Sequence, residues 1–250
     1  MTSSQLRTSA REALKGKWGK AALLTLVYFL ITFVISFVLR LIPFVGSLLE
    51  IIITLPLSYG FLVTFMKLKR EEEVSYTDFI TSGFNAFGKV WAVLGNTILK
   101  LIIPIVLLIL SIILMVYGGI GTGAGVIFSS ASATAGFSGV LIVGLILYIC
   151  SFIYLVVKGY YYSLTYYILY DNPDKTAKEI VEESERLMHG NRWSFFWLGL
   201  TFIGWVILSA CTLYIGSLWL VPYIIVTTIC FYESLLGTKD TEKVEPIEEK

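Results

Sequence analysis

The chain has 250 residues, of which 56% are hydrophobic and only 15% charged, with a mean hydropathy of +0.80. Soluble domains carry roughly 25% charged residues, and a water-soluble fold of this size has too little interior to hide so much apolar surface. A formal net charge of +1 gives no basic excess for a nucleic-acid partner, so none is expected.

The chain opens with a basic amphipathic segment. Leu6, Ala10, Ala13 and Leu14 share one helical face, with Arg7, Arg11, Lys15 and Lys17 around the rest, a pattern suited to an anionic inner leaflet. Ala21 to Leu39 follows as 19 residues without a charge, and no small-x-small cleavage site comes after it, so it reads as a retained span. A spanning helix needs about 20 apolar residues. Six segments meet that need: about 21–41, 46–66, 90–117, 140–170, 193–213 and 217–236.

Between the second and third spans, Phe79, Ile80, Gly83, Phe84 and Phe87 share a face, and Ser75 with Asp78 resembles a capping box. From Leu101 to Val157 there are 57 residues without a charge, too many for one span. The small-residue tract 118–139 is the natural break, as an outer loop or a re-entrant turn. After the fourth span, Asn172 and Pro173 start a third amphipathic helix. Its apolar stripe is Ala177, Ile180, Val181, Ser184, Leu187 and Met188. Its other face is mostly acidic (Glu179, Glu182, Glu183, Glu185), so residues 174–189 are expected to offer a protein partner a negative surface. The last uncharged run, Trp193 to Tyr232, divides near Tyr214–Ser217, and residues 237–250 read as a disordered cytoplasmic tail.

Charge sets the expected orientation. Of the 19 Lys and Arg residues, all but Arg40, Lys100 and Lys158 lie on one set of loops and termini. The positive-inside rule makes that set cytoplasmic. The expected fold class is therefore all-α: a polytopic membrane helix bundle forming a single transmembrane domain, 1–236. It has six transmembrane helices, three cytoplasmic amphipathic helices and both termini in the cytoplasm of a cell-membrane protein.

Each amphipathic segment ends alike, in Gly16-Lys17-Trp18, Gly88-Lys89-Val90-Trp91 and Gly190-Asn191-Arg192-Trp193. A glycine can end a helix in a left-handed cap, a cation reaches headgroup phosphates, and Trp18, Trp91 and Trp193 anchor the next span at the interface. Pro56 and Phe65 are nine apart, as are Pro222 and Phe231. Three tandem units of surface helix plus membrane hairpin would produce this. So would independent solutions of the same interfacial problem.

The opening run Ser9 to Trp18 resembles the start of a bacterial membrane family catalogued as domain of unknown function 975. The block Tyr161 to Tyr170 and the run Glu183 to Arg192 carry the same resemblance. It implies a small polytopic protein, mostly of Gram-positive bacteria, without an assigned activity. More distantly the layout is similar to membrane domains attached to some glycerophosphodiester phosphodiesterases, whose catalytic domain is absent from this sequence.

No His-Glu-x-x-His, Gly-x-Ser-x-Gly or P-loop pattern occurs. The lone histidine, His189, sits where a helix dipole favours it. Cys150, Cys211 and Cys230 lie in apolar runs without metal-ligand spacing. An enzyme is not expected, nor is a cofactor or metal. Intramembrane charges are costly and point to function. Lys100 lies one turn after Asn96, and Lys158 shares a face with Tyr154, Tyr161 and Thr165. These six residues form a candidate polar site with an anionic guest. Snorkelling to the interface is the simpler alternative for both lysines. Arg40 and Glu50 flank the first outer turn and are expected to pair. The expected function is a non-enzymatic accessory or scaffold role through protein partners or anionic membrane lipid. The alternative is a small transporter or export factor with a Lys/Tyr-lined cavity.

Overall fold

A computed structural model describes residues 2–43 and 45–242, with side chains as far as Gly237. The described residues form eleven helices and no strand. They are α1 (Ser3–Ala13), α2 (Trp18–Arg40), α3 (Val45–Lys69), α4 (Asp78–Asn85), α5 (Phe87–Ile127), α6 (Ala131–Tyr161), α7 (Thr165–Asp171), α8 (Ala177–Met188), α9 (Arg192–Leu200), α10 (Ile203–Cys211) and α11 (Ser217–Glu242). Six stretches are long and apolar enough to cross a membrane: Trp18–Arg40, Val45–Lys69, Phe87–Ile127, Ala131–Asp171, Arg192–Cys211 and Ser217–Gly237. Helix is the form such sequences must take, because hydrocarbon offers no water to bond the backbone. The expected tail, 237–250, falls largely outside the described residues, and α11 continues helical to Glu242. The chain divides into two compact units, Met1–Val93 with Leu164–Lys250, and Leu94–Ser163.

The first unit has an aromatic core. The Tyr28 ring stacks on Phe61 at 4.1 Å and meets Phe79 edge-on at 5.6 Å, and Phe61 packs against Phe65 at 5.0 Å. Around it α4 lies directly against α3. A Cβ on Gly60 would stand 1.8 Å from the carbonyl oxygen of Phe79, and one on Gly83 would stand 2.3 Å from that of Pro56. The two backbones therefore touch, which only glycine permits. The paired contacts run antiparallel, Phe79 beside Gly60 and Gly83 beside Pro56. Gly60 is nine residues from Lys69, or about 14 Å along the helix. The expected surface helix thus lies along a span rather than across its end.

The other two short helices are seated similarly. Leu6 and Ala10 of α1 are buried, as is Leu14 just beyond it. The Tyr223 hydroxyl reaches the Arg7 carbonyl at 3.5 Å, and Trp18 packs on the Tyr223 ring at 6.1 Å. In α8, Ile180 and Ser184 are fully buried, and Ser184 Oγ accepts from the Leu164 N–H at 3.3 Å. All three helices bury a bulky residue and a small one four positions later: Leu6 and Ala10, Phe79 and Gly83, Ile180 and Ser184. Such positions share one helical face, and the small member lets the backbones approach. The glycines after α1 and α8 take the left-handed conformation, with φ of +75° at Gly16 and +83° at Gly190. Gly88 does not, because α5 has already begun at Phe87. The expected left-handed glycine therefore occurs at two junctions of three. Lys17, expected at the headgroups, instead donates to the Leu68 carbonyl at 3.2 Å and pairs with Glu71 at 3.3 Å. A helix C-terminus with unpaired carbonyls attracts a cation.

The second unit is a helical hairpin of α5 and α6. The tract 118–139, expected as a loop or re-entrant turn, is helical on both sides of a short turn at Phe128–Ser130. Ser129 takes φ of +52°, and the Ser130 N–H returns to the Gly125 carbonyl at 2.9 Å, closing α5. The glycines serve as contact surface. Gly118 faces Leu141, Gly121 faces the Phe137 ring, Gly125 faces Thr134, and Gly144 faces Met115. Pro104, Ser111, Gly118 and Gly125 are buried at seven-residue intervals, the period that keeps one face turned to a partner helix. Small residues drive such packing where lipid removes the hydrophobic drive. α5 is 41 residues long, about 60 Å at the helical rise and more than the hydrocarbon core requires.

Gly60→Ala should separate α3 from α4 and lower stability by about 1–3 kcal/mol. Gly95→Ala, where a Cβ meets nothing within 4 Å, should stabilise by roughly 0.5–1 kcal/mol. Thermal unfolding of the two variants in the same detergent checks the contrast.

Candidate functional site

Two helix ends in the first unit and one position inside a third helix carry opposite charges. α3 finishes at Lys69 with Arg70 just beyond it, α7 finishes at Asp171, and α11 contributes Glu233. The Lys69 ammonium pairs with Glu233. Arg70 grips Asp171 with two parallel bonds, Nη1 to Oδ1 at 2.7 Å and Nη2 to Oδ2 at 3.1 Å, and its Nε stands 3.9 Å from Glu233. This fork-to-fork geometry is the strong form of an ion pair. The Lys69 and Asp171 side chains are only 15% and 17% exposed, so water screens them incompletely. Asp171 raises the pKa of Arg70 further above its ordinary value, chiefly through these bonds.

Tyrosines wall the cluster. Arg70 stands 5.4 Å over the Tyr170 ring, a cation–π contact. The Tyr232 hydroxyl interacts with Asp171, and the Tyr232 ring packs on Tyr167 at 5.6 Å. Tyr59 meets Tyr166 at 5.7 Å. The tyrosines of 160–170, which also fit an interfacial belt, thus help to build a packed core: Tyr162 and Tyr167 are buried. Two cations and two carboxylates balance, and each charge has an opposite partner. The arrangement is a clamp holding α3, α7 and α11 together. Sequence reasoning counted Lys69 and Arg70 only as orientation signals and left Glu233 without a partner. The available signal was the complementary charge at the ends of three spans.

The residues singled out from sequence sit in different surroundings. In the second unit Lys100 is exposed, Asn96 half-buried and Tyr154 exposed. Lys158 is half-buried, with its ammonium 5.4 Å from the Tyr161 ring centre. Thr165 is buried in the first unit, at the start of α7. Lys158 and Tyr161 are thus brought together. The expected Arg40–Glu50 pair does not form: Glu50 Oε1 accepts from Ser36 Oγ at 2.6 Å. Ser36 reaches it from the facing helix and satisfies it first. Arg40 lines a cavity of about 350 Å³ with Thr32, Phe37 and the same Ser36. Of the three tryptophan anchors, Trp193 is exposed and Trp18 packs on Tyr223. The Trp91 indole N–H is buried without a hydrogen-bond partner. Among the described residues, no three His, Cys, Asp or Glu side chains are grouped to hold a metal ion.

Asp171→Asn removes the charge that Arg70 grips and weakens the acceptor for Tyr232. It should cost about 1–3 kcal/mol of stability, while Asp174→Asn, at an exposed position, should change little. Thermal unfolding in detergent reads both.

Comparison with curated proteins and with solved structures finds no match. The family described as "Protein of unknown function (DUF975)" matches residues 1–239. With that match covering nearly the whole sequence, a multi-pass helical membrane chain of this layout belongs to the DUF975 family.

Proposed function

We propose that this is a non-enzymatic accessory protein of the bacterial cell membrane, acting through a cytosolic protein partner or anionic lipid. The carrying observation is the two-sidedness of α8. Ile180, Val181, Ser184, Leu187 and Met188 are buried, which holds the helix to the body of the first unit. Glu179 and Glu182 are exposed on the other side, beside half-buried Glu183 and Glu185; Lys178 stands 3.9 Å from Glu182 and Arg186 bonds Glu183, so the face keeps an acidic excess rather than four free carboxylates. Bonds from the Thr176 backbone and hydroxyl complete a capping box and hold the Glu179 carboxyl below its usual range, so the helix is well formed where it faces out. A rigid acidic surface of this kind suits a basic protein segment and is repelled by anionic lipid. With the positive-inside rule, it supports cytoplasmic termini and α1, α4 and α8 as the inner-side amphipathic helices. The common bulky-then-small seat of these helices favours three tandem units over independent origins. The more distant likeness to phosphodiesterase membrane domains fits as a likeness of layout, without their chemistry.

A second reading, a small transporter or export factor, draws on the register of the hairpin. Lys100 and Lys158 lie 29 residues on either side of Ser129, and Lys158 continues the seven-residue seam of Phe137, Gly144 and Ser151. Two lysines at one level favour a polar recess between the legs. Flux in proteoliposomes lost in Lys100→Met/Lys158→Met would favour this reading over the accessory one.

Purification from native membranes in mild detergent should recover a stoichiometric protein partner or an enriched anionic lipid. Glu182→Lys with Glu185→Lys should remove the protein partner and spare the fold. A solitary protein with lipid at bulk composition would contradict the proposal.

A further inference from the structure

A cavity of about 370 Å³ opens in the first unit between the N-terminal helices and the last hairpin. Its walls are the wide apolar faces of Trp18, Trp205 and Trp219 with Leu208 and Leu220. Two polar features stand out. Arg11 of α1 lines the cavity, exposed, with its Nη2 donating to Thr8 Oγ1 at 3.4 Å. A guanidinium has five N–H donors, so that bond leaves capacity for an anion. The second is Ser209, which is only 6% exposed and whose Oγ has no hydrogen-bond partner. Thr212 beside it is committed, donating to the Ser209 carbonyl at 2.8 Å and accepting from the Gly216 N–H at 3.1 Å. A buried hydroxyl without a partner is costly; its Oγ is closed off from the open space of the cavity, so a guest's oxygen reaches it only when the lining residues shift.

The setting narrows the guest. Leu208, Ser209 and Leu220 belong to helices long and apolar enough to cross a membrane, so lipid is the neighbour in greatest supply. Tryptophans line sites where an apolar body meets a polar head. Arg11 supplies one positive charge beside the tryptophans, and a phosphodiester is an anion that a planar guanidinium matches with two parallel bonds. We infer that this cavity is a site for one anionic phospholipid, with one acyl chain among the three tryptophans, its phosphate on Arg11 and an ester oxygen on Ser209. The inference deepens the anionic-lipid arm of the proposed function and rests on it.

The test uses the full chain in phosphatidylcholine vesicles containing a few per cent phosphatidylglycerol with a photoreactive acyl chain. Cross-links are mapped by mass spectrometry. The expected result is labelling concentrated in Trp205–Tyr223, displaced by unlabelled phosphatidylglycerol and not by added phosphatidylcholine. Arg11→Ala, at an exposed position that leaves the buried face of α1 intact, should weaken the labelling by about tenfold. Ser209→Val should weaken it by a smaller factor. Labelling spread evenly over the exposed apolar faces, or equal displacement by phosphatidylcholine, would overturn the site. Anionic lipid enriched in the purified protein but unaffected by Arg11→Ala would also overturn the site while leaving the broader function standing. No enrichment of anionic lipid at all would overturn the site and the lipid arm together.

Discussion

The first unit depends on one closure. Lys69 and Glu233 are 164 positions apart in sequence and paired in space, with Arg70 and Asp171 locked beside them. This contact gathers the ends of α3 and α7 on α11 and holds the chain's last span against its second. Around it lie the tyrosines, and from the same helices run the seats of α4 on α3 and α8 on α7. The geometry is costly to build, because charges give up hydration to enter a partly shielded place. It is stable because both carboxylates have partners and the forked Arg70–Asp171 pair satisfies several donors together.

The bilayer explains why the molecule relies on such contacts. Between helices in lipid, apolar side chains gain little by leaving equally apolar tails. Close packing and polar pairing must do what a hydrophobic core does in water. That constraint accounts for Gly60 and Gly83, where two backbones touch. It accounts equally for the glycine and serine seam of the α5–α6 hairpin. Both units use the same device, one to seat a short helix on a long one and the other to zip two long helices. The apolar residues that dominate the composition are left to face lipid: Ile102, Ile103, Val106, Ile142 and Val143 are all exposed.

Much of this was legible in the residues. Charge-free runs gave the six span-length helices, because hydropathy reports directly on what hydrocarbon tolerates. The apolar stripes of 6–14, 79–87 and 177–188 marked three short helices, and each buries members of its stripe. The tract 118–139 misled because glycine and serine usually signal a turn; in a membrane hairpin the same smallness signals a helix interface. Its seven-residue interval, from Pro104 through Gly125, was the missed clue. The Arg40–Glu50 pairing failed because nearness to a turn does not determine side-chain direction, and Ser36 on the facing helix was the better partner. The charged clamp was missed for a different reason. A long-range ion pair has no local pattern, and cations near span ends already had an explanation in topology. The three-tryptophan cavity was out of reach for the same reason, since it draws on the first two helices and the last two, at opposite ends of the chain.

The clamp carries the heaviest share of this description, and a double-mutant cycle addresses it most directly. Lys69→Glu and Glu233→Lys are made singly and together, and the unfolding of each is measured in one detergent. Each single change places like charges in contact and should destabilise. The double exchange restores an opposite pair and should recover at least half of the summed loss, a coupling of about 0.5–3 kcal/mol. Recovery will be incomplete, because Arg70 stands 3.9 Å from Glu233 and would then face a cation. Strictly additive losses, with no recovery in the exchanged pair, would contradict a closure through these residues.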